Sequence, residues 1–328
     1  MTEHRHNLVQ HALIRGVAVM MATLPLLVAA QQKFPSKPVR LVVPASGNTA
    51  DVVARIIGPK LSENWRQPVI MENRAGAGGT FAAATVAKAA PDGHTLLLIS
   101  GQFALGAALH ANLPYQVLKD FTGVSQIGYS TSVLVTGPST GIKTIKDLVT
   151  TAQSQPGKLI FSSGGAGSNN HMTVEYLAFN AGIKTVHVGF KSVSEALVEV
   201  LAGRAQYCLA SVPAALPMIR DGRLQALGVT TPKRSPLLPN VPAIVEAIPG
   251  FSREASFGLY APAGTSLAIR RQIGQEVARV LDIQDVRERL QAMAFTPASS
   301  TPEEMDRIFR EQVAMFSELA RQIGLRAK

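Results

Sequence analysis

Residues 69–98 run Val69-Ile70-Met71-Glu72-Asn73-Arg74-Ala75-Gly76-Ala77-Gly78-Gly79-Thr80, then an alanine-rich stretch, then Ala90-Pro91-Asp92-Gly93-His94-Thr95-Leu96-Leu97-Leu98. The order is strand, glycine loop, helix, turn, strand. Four residues, 76–79, include three glycines, which let the backbone bend sharply or come close to another group. The run Ala82–Ala90 is rich in the strongest helix former, and Pro91-Asp92-Gly93 carries turn chemistry. Thr95–Ile99 is a short apolar run that suits a strand covered on both faces. Such a unit predicts an α/β fold.

The same alternation continues outward in both directions. Val39–Val43 reads as a strand, followed by a loop over Pro44–Ala50 and a helix over Asp51–Trp65. Val52, Val53, Ile56, Ile57 and Leu61 fall on one side of that helix, and Gly58-Pro59 is expected to kink or end it. Further strands are predicted at Val133–Thr136, Leu159–Ser162, Thr185–Val188, Gln206–Ala210 and Leu224–Thr230, with helices between most of them. The pattern implies a mainly parallel α/β architecture. After Ser256–Ala261 the reading is helical to the end. Thr301-Pro302-Glu303-Glu304 is a capping box with proline at the first helical position. It opens a helix with Met305, Ile308, Phe309, Val313, Phe316 and Leu319 on one face.

The N-terminus reads as an export signal. Arg5 and Arg15 precede an apolar stretch, Gly16–Ala30, that ends in small residues, so residues 1–30 form a signal peptide cleaved before Gln31. The stretch is short for a membrane span, which needs ~20 apolar residues. No cysteine lies near the cut to carry a lipid. The chain has a net charge of +10; loss of Arg5, Arg15 and Glu3 removes two positive charges and one negative, leaving +9. A basic exported protein draws anionic solutes toward its cleft. The basic residues are scattered and have little aromatic company, which argues against nucleic acid. Cys208 is the only cysteine, so no intramolecular disulfide forms. Its apolar surroundings predict a small core residue.

The stretch Glu72-Asn73-Arg74 … Gly76-Ala77-Gly78-Gly79-Thr80 … Ala87-Lys88-Ala89-Ala90-Pro91-Asp92-Gly93 … Thr95-Leu96-Leu97 resembles the solute receptors of tripartite tricarboxylate transporters, the Bug family. The resemblance extends over nearly all of residues 34–325. It implies a two-lobed fold like the type II periplasmic binding proteins, with a ligand cleft between the lobes and a two-strand hinge. The implied division is residues 31–128 with 258–328 in one lobe and 129–257 in the other. The crossings would fall near Val124–Ser132 and Arg253–Leu259.

Two loops are the candidate ligand site. Val43–Asp51 joins a strand end to a helix start, where ligands sit in open α/β sheets and free backbone N–H groups attract anions. An ordinary capped turn would look the same; the resemblance favours a site at Ser46, Gly47, Asn48 and Thr49. Relatives read roughly VPF-x-x-GG-x-TD here. This chain is one residue shorter, with Asn48 where a glycine is usual. Gln102, beyond the strand at 95–99, is a further candidate. The second loop, Phe161–His171, again joins a strand to a helix, Met172–Asn180. Small residues there expose a backbone nest able to hold a carboxylate without a cation. Ser163, Gly164, Ser168, Asn169 and His171 are the candidates; Gly167, Ser168 and His171 match a G-S-x-x-H pattern of the relatives. His171 either donates to the ligand or braces the loop. Val186–Ser192 is similar to the family's VHVPYKG, with Gly189 and Ser192 substituted; its Lys191 either pairs with an anion or is solvated. Leu201–Pro217 is similar to GG-x-VD-x-MFDN-x-PSALP, with Gln206 and Ala210 in place of the usual acids. That substitution removes a partner for a ligand ammonium group.

Catalytic patterns are weak. Gly137-Pro138-Ser139-Thr140-Gly141 fits G-x-S-x-G, but a nucleophile elbow needs the helix to begin at the serine, and a start at Thr144 is predicted. The glycine loop at 76–81 lacks the last glycine of a dinucleotide fingerprint. His171 and Glu175 could share a helix face, yet two ligands rarely make a metal site. The resemblance thus implies an exported, monomeric receptor without cofactor or metal, one that would capture a small organic anion and pass it to the membrane permease subunits of a transporter. A sensor feeding a signalling receptor would share the same fold and site; a hydrolase is the remaining alternative.

Overall fold

The computed structural model describes residues 34–322 except 45, 77–78, 102, 105–112 and 252. The expected signal peptide and Gln102 lie outside the described residues. The first sheet begins with β1 (Val39–Val43), α1 (Thr49–Trp65), β2 (Val69–Asn73), α2 (Thr80–Ala87) and β3 (Thr95–Ser100), followed by the short α3 (Val117–Asp120) and the long β4 (Phe121–Ser130). The chain crosses to a second sheet at Thr131. There it forms β5 (Ser132–Thr136), α4 (Ile145–Ser154), β6 (Ile160–Ser163), α5 (Asn169–Ala181), β7 (Val186–Gly189), α6 (Val193–Leu201), β8 (Tyr207–Ser211), α7 (Val212–Arg220), β9 (Gln225–Val229) and α8 (Ile244–Ala247). It returns to the first sheet in β10 (Ala255–Pro262), followed by α9 (Leu267–Leu281), α10 (Gln284–Ala292), β11 (Phe295–Pro297) and α11 (Pro302–Gln322).

The six-stranded first sheet has the order β11-β4-β10-β3-β1-β2, and the five-stranded second sheet β7-β6-β8-β5-β9. Both are mixed, not mainly parallel. β1 pairs in parallel with β2 and β3, while β10 runs antiparallel to β3 and β4. In the second sheet β6 is parallel to β7 and β8, and β5 is antiparallel to β8 and β9. The strands that carry the chain between sheets, β4–β5 and β10, cause the antiparallel pairings. Strand–helix alternation implies parallel neighbours where the helix returns the chain to the same sheet, and the local pattern does not show that β4–β5 and β10 instead carry the chain from one sheet to the other.

Apolar periodicity set the cores correctly. Val42, Leu97, Ala82, Val86, Phe103, Tyr260, Met305, Phe309, Phe316 and Leu319 share one cluster on the first sheet. Leu134, Phe161, Val174, Leu177, Tyr207 and Leu227 share another on the second. Phe103 stacks on Phe309 at 5.4 Å and meets Phe121 edge-on at 4.7 Å, geometry the ring quadrupoles favour. Gly58-Pro59 does not end α1, which runs through to Trp65. Burial of Ile56, Ile57 and Leu61 on both sides of the proline holds the helix where propensity alone would break it. Gly58 itself allows close packing: a Cβ there would stand 2.9 Å from Met71 Sδ on β2. Thr144 caps α4 with a capping box to Asp147, so Ser139 sits in a separate 3-10 turn and not at a helix start.

Candidate functional site

The loop after β1 is organised by its own helix cap. Asp51 N–H donates to Asn48 Oδ1 at 2.8 Å, and Gly47 N–H donates to Asp51 Oδ2 at 2.9 Å. Gly47 takes φ +72°, and a Cβ there would meet nothing within 4 Å, so glycine serves the backbone turn here. Burial opposes ionisation of Asp51, but hydrogen bonds from Arg55, Asn73 and Gly47 outweigh it and lower its pKa. The Asp51 carboxylate thus consumes the Gly47 donor, and the Asn48 amide oxygen is committed to the cap. What the loop still offers is Thr49 and the first turn of α1.

The loop after β6 is also internally braced. Ser168 caps α5, accepting from His171 N–H at 3.3 Å. His171 is 4% exposed, and its Nδ1 accepts from Gly167 N–H at 2.9 Å. Its Nε2 lies 3.5 Å from Glu175 Oε1, and its ring stacks on His187 at 3.7 Å. His187 Nε2 is 2.7 Å from Ser163 Oγ. Burial and then the charge of His171 push the His187 pKa down to about 4, against an opposing pull from Glu175. These contacts are those of a brace, one of the two roles the sequence left open for His171. Gly164 packs against Val193, where a Cβ would stand at 3.2 Å. Lys191 is exposed at the start of α6, its backbone N–H donating to Glu195 at 3.3 Å.

A pocket of about 330 Å³ lies between elements of the two sheets. Gly47, Thr49 and Val52 line it from the start of α1, and Ser211, Pro213 and Ala214 from the start of α7; Ser130 and Met293 complete it. Two of the sequence candidates, Gly47 and Thr49, are in this lining. Ser46 and Asn48 are their neighbours in the loop. Ser163, Gly164, Ser168, Asn169, His171 and Lys191 do not line it. Sequence reasoning missed Ser130, Ser211, Pro213, Ala214 and Met293. The signal for Ser211–Ala214 was present: β8 ends where a proline opens a helix, the same strand-to-helix geometry as the two loops chosen. Ser130 and Met293 carry no local signal.

Among the described residues the lining holds no charged side chain. Ser211 is the N-cap of α7 but makes no side-chain cap bond. The hydroxyls of Thr49, Ser130 and Ser211 are therefore available, beside the positive ends of two helices. Chemistry beyond binding has little support. The Cys208 thiol is fully buried and pushed up to about 12 by burial. Among the described residues no group of three His, Cys, Asp or Glu could hold a metal ion.

Residues 53–325 match the model of the tripartite tricarboxylate transporter family receptor. The chain belongs to this family. It is 34% identical over 324 residues to a protein encoded in the tcbD-tcbE intergenic region of Pseudomonas sp. strain P51, covering 98% of this chain and 96% of that one. It is 30% identical over 326 residues to BugT of Bordetella pertussis, covering 98% and 100%. An R. palustris protein solved with adipate superposes with a TM-score of 0.79 at 30% identity, covering 90% of this chain and 100% of that one. MatC from Rhodopseudomonas palustris, solved with bound malate, gives a TM-score of 0.74 at 31% identity, covering 87% and 99%. The two-sheet α/β architecture is that of the periplasmic binding proteins, and this family and its structural neighbours are binding proteins, not enzymes.

Proposed function

We propose that this family member is a periplasmic receptor that captures a small carboxylate between its two sheets and delivers it to the membrane subunits of a tripartite tricarboxylate-type transporter. The observation that carries this reading is the pocket: the starts of α1 and α7 and the free hydroxyls of Thr49, Ser130 and Ser211 line it, with no charged side chain among the described lining residues. Neutral donors at helix N-termini suit a carboxylate, and two relatives were solved with adipate and with bound malate. The two sheets act as lobes, hinged at Thr131 and at the segment before Ala255, and approach each other over the bound anion. Residues 1–30 serve as the export signal.

The test is a thermal-shift panel of mono-, di- and tricarboxylates with their amide analogues. A ligand at 100 times its dissociation constant adds ~2.7 kcal/mol of stability. Saturable stabilisation by an acid and not by its amide is the expected result. Equal stabilisation by both would point to a neutral ligand.

A further inference from the structure

Arg253 stands apart from the ion pairs of the molecule. It is 7% exposed and has no carboxylate partner among the described residues. Its guanidinium carbon lies 4.3 Å from the Phe316 ring and 5.4 Å from the Tyr176 ring. Nη1 donates to Met315 Sδ at 3.0 Å, and Nη2 has no hydrogen-bond partner among the described residues. Phe316 and Met315 belong to α11 on the first sheet, Tyr176 to α5 on the second. Arg253 itself lies in the segment by which the chain returns to the first sheet, just before β10. A positive charge is thus enclosed where the two sheets meet. Cation–π contacts return part of the lost hydration, but burial still lowers the pKa from 12.5 to about 10. Loss of hydration is the larger effect.

We infer that Arg253 is the charge-selecting residue of the cleft: the approach of the two sheets buries its unpaired guanidinium, and an anion between the sheets offsets that burial where an uncharged isostere does not. The inference rests on the carboxylate-receptor reading. Ser130 of the pocket lining pairs with Ala255, two residues from Arg253. Two strand steps and one interstrand spacing put an anion in that pocket on the order of 10 Å from Arg253. At the effective dielectric of a protein interior this distance gives about a tenfold effect on affinity. Arg253 therefore acts at a distance, and its expected signature is in charge discrimination, not in contact loss.

The test uses the full chain with adipate and adipamide as probes, in calorimetry of the wild type, Arg253→Met and Arg253→Lys. Arg253→Met keeps an apolar stem among Tyr176, Met315 and Phe316 but removes the charge. Its preference for adipate over adipamide is expected to fall about tenfold, while Arg253→Lys keeps the preference. A ligand-free measurement stands beside this one. By small-angle scattering, unliganded Arg253→Met is expected to be more compact than the unliganded wild type, because closure no longer buries a bare charge. An unchanged acid-to-amide ratio in Arg253→Met, loss of the ratio in Arg253→Lys, or an Arg253→Met chain as extended as the wild type would each overturn the inference. If the wild type binds no carboxylate, the receptor reading fails, and the scattering comparison still decides the role of Arg253.

Discussion

Ser168 and Ser211 hold the same position, the N-cap of a helix that follows a strand, yet they differ in what their hydroxyls do. Ser168 Oγ accepts from His171 N–H at 3.3 Å, whereas Ser211 makes no cap bond and lines the pocket. Ser168→Ala should therefore cost about 1 kcal/mol of stability, as a lost cap does. Ser211→Ala should leave stability nearly unchanged and weaken carboxylate binding about 10- to 150-fold, the range for a hydrogen bond to a charged group. Denaturant melts and calorimetry on both variants separate the roles; strong loss of affinity in Ser168→Ala alone would move the site to the 163–171 loop. His187 gives a second residue-level prediction. Its folded pKa of about 4 lies below the ordinary 6.5, so the unfolded chain binds more protons between those values. Its contribution is complete above pH 6.5 and is lost as pH falls toward 4. His187→Gln should flatten the urea midpoint against pH across that window relative to the wild type.

The elements show where sequence reading succeeds and where it stops. The first loop was legible as a strand-to-helix junction, and so was the core face of α11: Met305, Phe309, Phe316 and Leu319 are all buried as their spacing predicted. The direction of β10 was not legible, because it is set by partners more than a hundred residues away, β3 and β4. The pocket was half legible for the same reason: Ser130 and Met293 come to it through the pairing of β4 with β10 and β11, not through a local motif. Gly128 marks this long-range fit. It takes φ +150° in β4, and a Cβ there would stand 2.3 Å from the Thr296 carbonyl oxygen of β11. Backbone cannot yield as a side-chain end can. Gly128→Ala should destabilise the protein by roughly 3 kcal/mol or more. A urea midpoint within error of the wild type would show that β4 and β11 are less tightly registered than this.

At the scale of the whole molecule, one side chain reports on how the sheets meet. Met172 lies on α5, whose Val174, Leu177 and Ala178 pack in the core of the second sheet. Met172 itself is 0% exposed within the cluster of the first sheet, among Val42, Ala82, Phe103 and Phe309. Its burial therefore depends on the sheets being together, while that of Val174 and Leu177 does not. A buried methionine truncated to alanine loses about 2–5 kcal/mol. In Met172→Ala that loss should fall mainly on the closed arrangement. The open form already exposes the side chain and has little to lose. Ligand binding draws on closure, so affinity should drop although Met172 does not line the pocket. Leu177→Ala is the control: it should lower the urea midpoint strongly and leave the affinity of the folded fraction nearly unchanged. Calorimetry with a stabilising carboxylate, paired with small-angle scattering, reads both effects. Met172→Ala should bind more weakly and show a smaller ligand-induced contraction at subsaturating ligand. If Met172→Ala binds as tightly as the wild type, the contact between α5 and the first-sheet core is not made on closure, and the hinged-sheet account of binding fails with it.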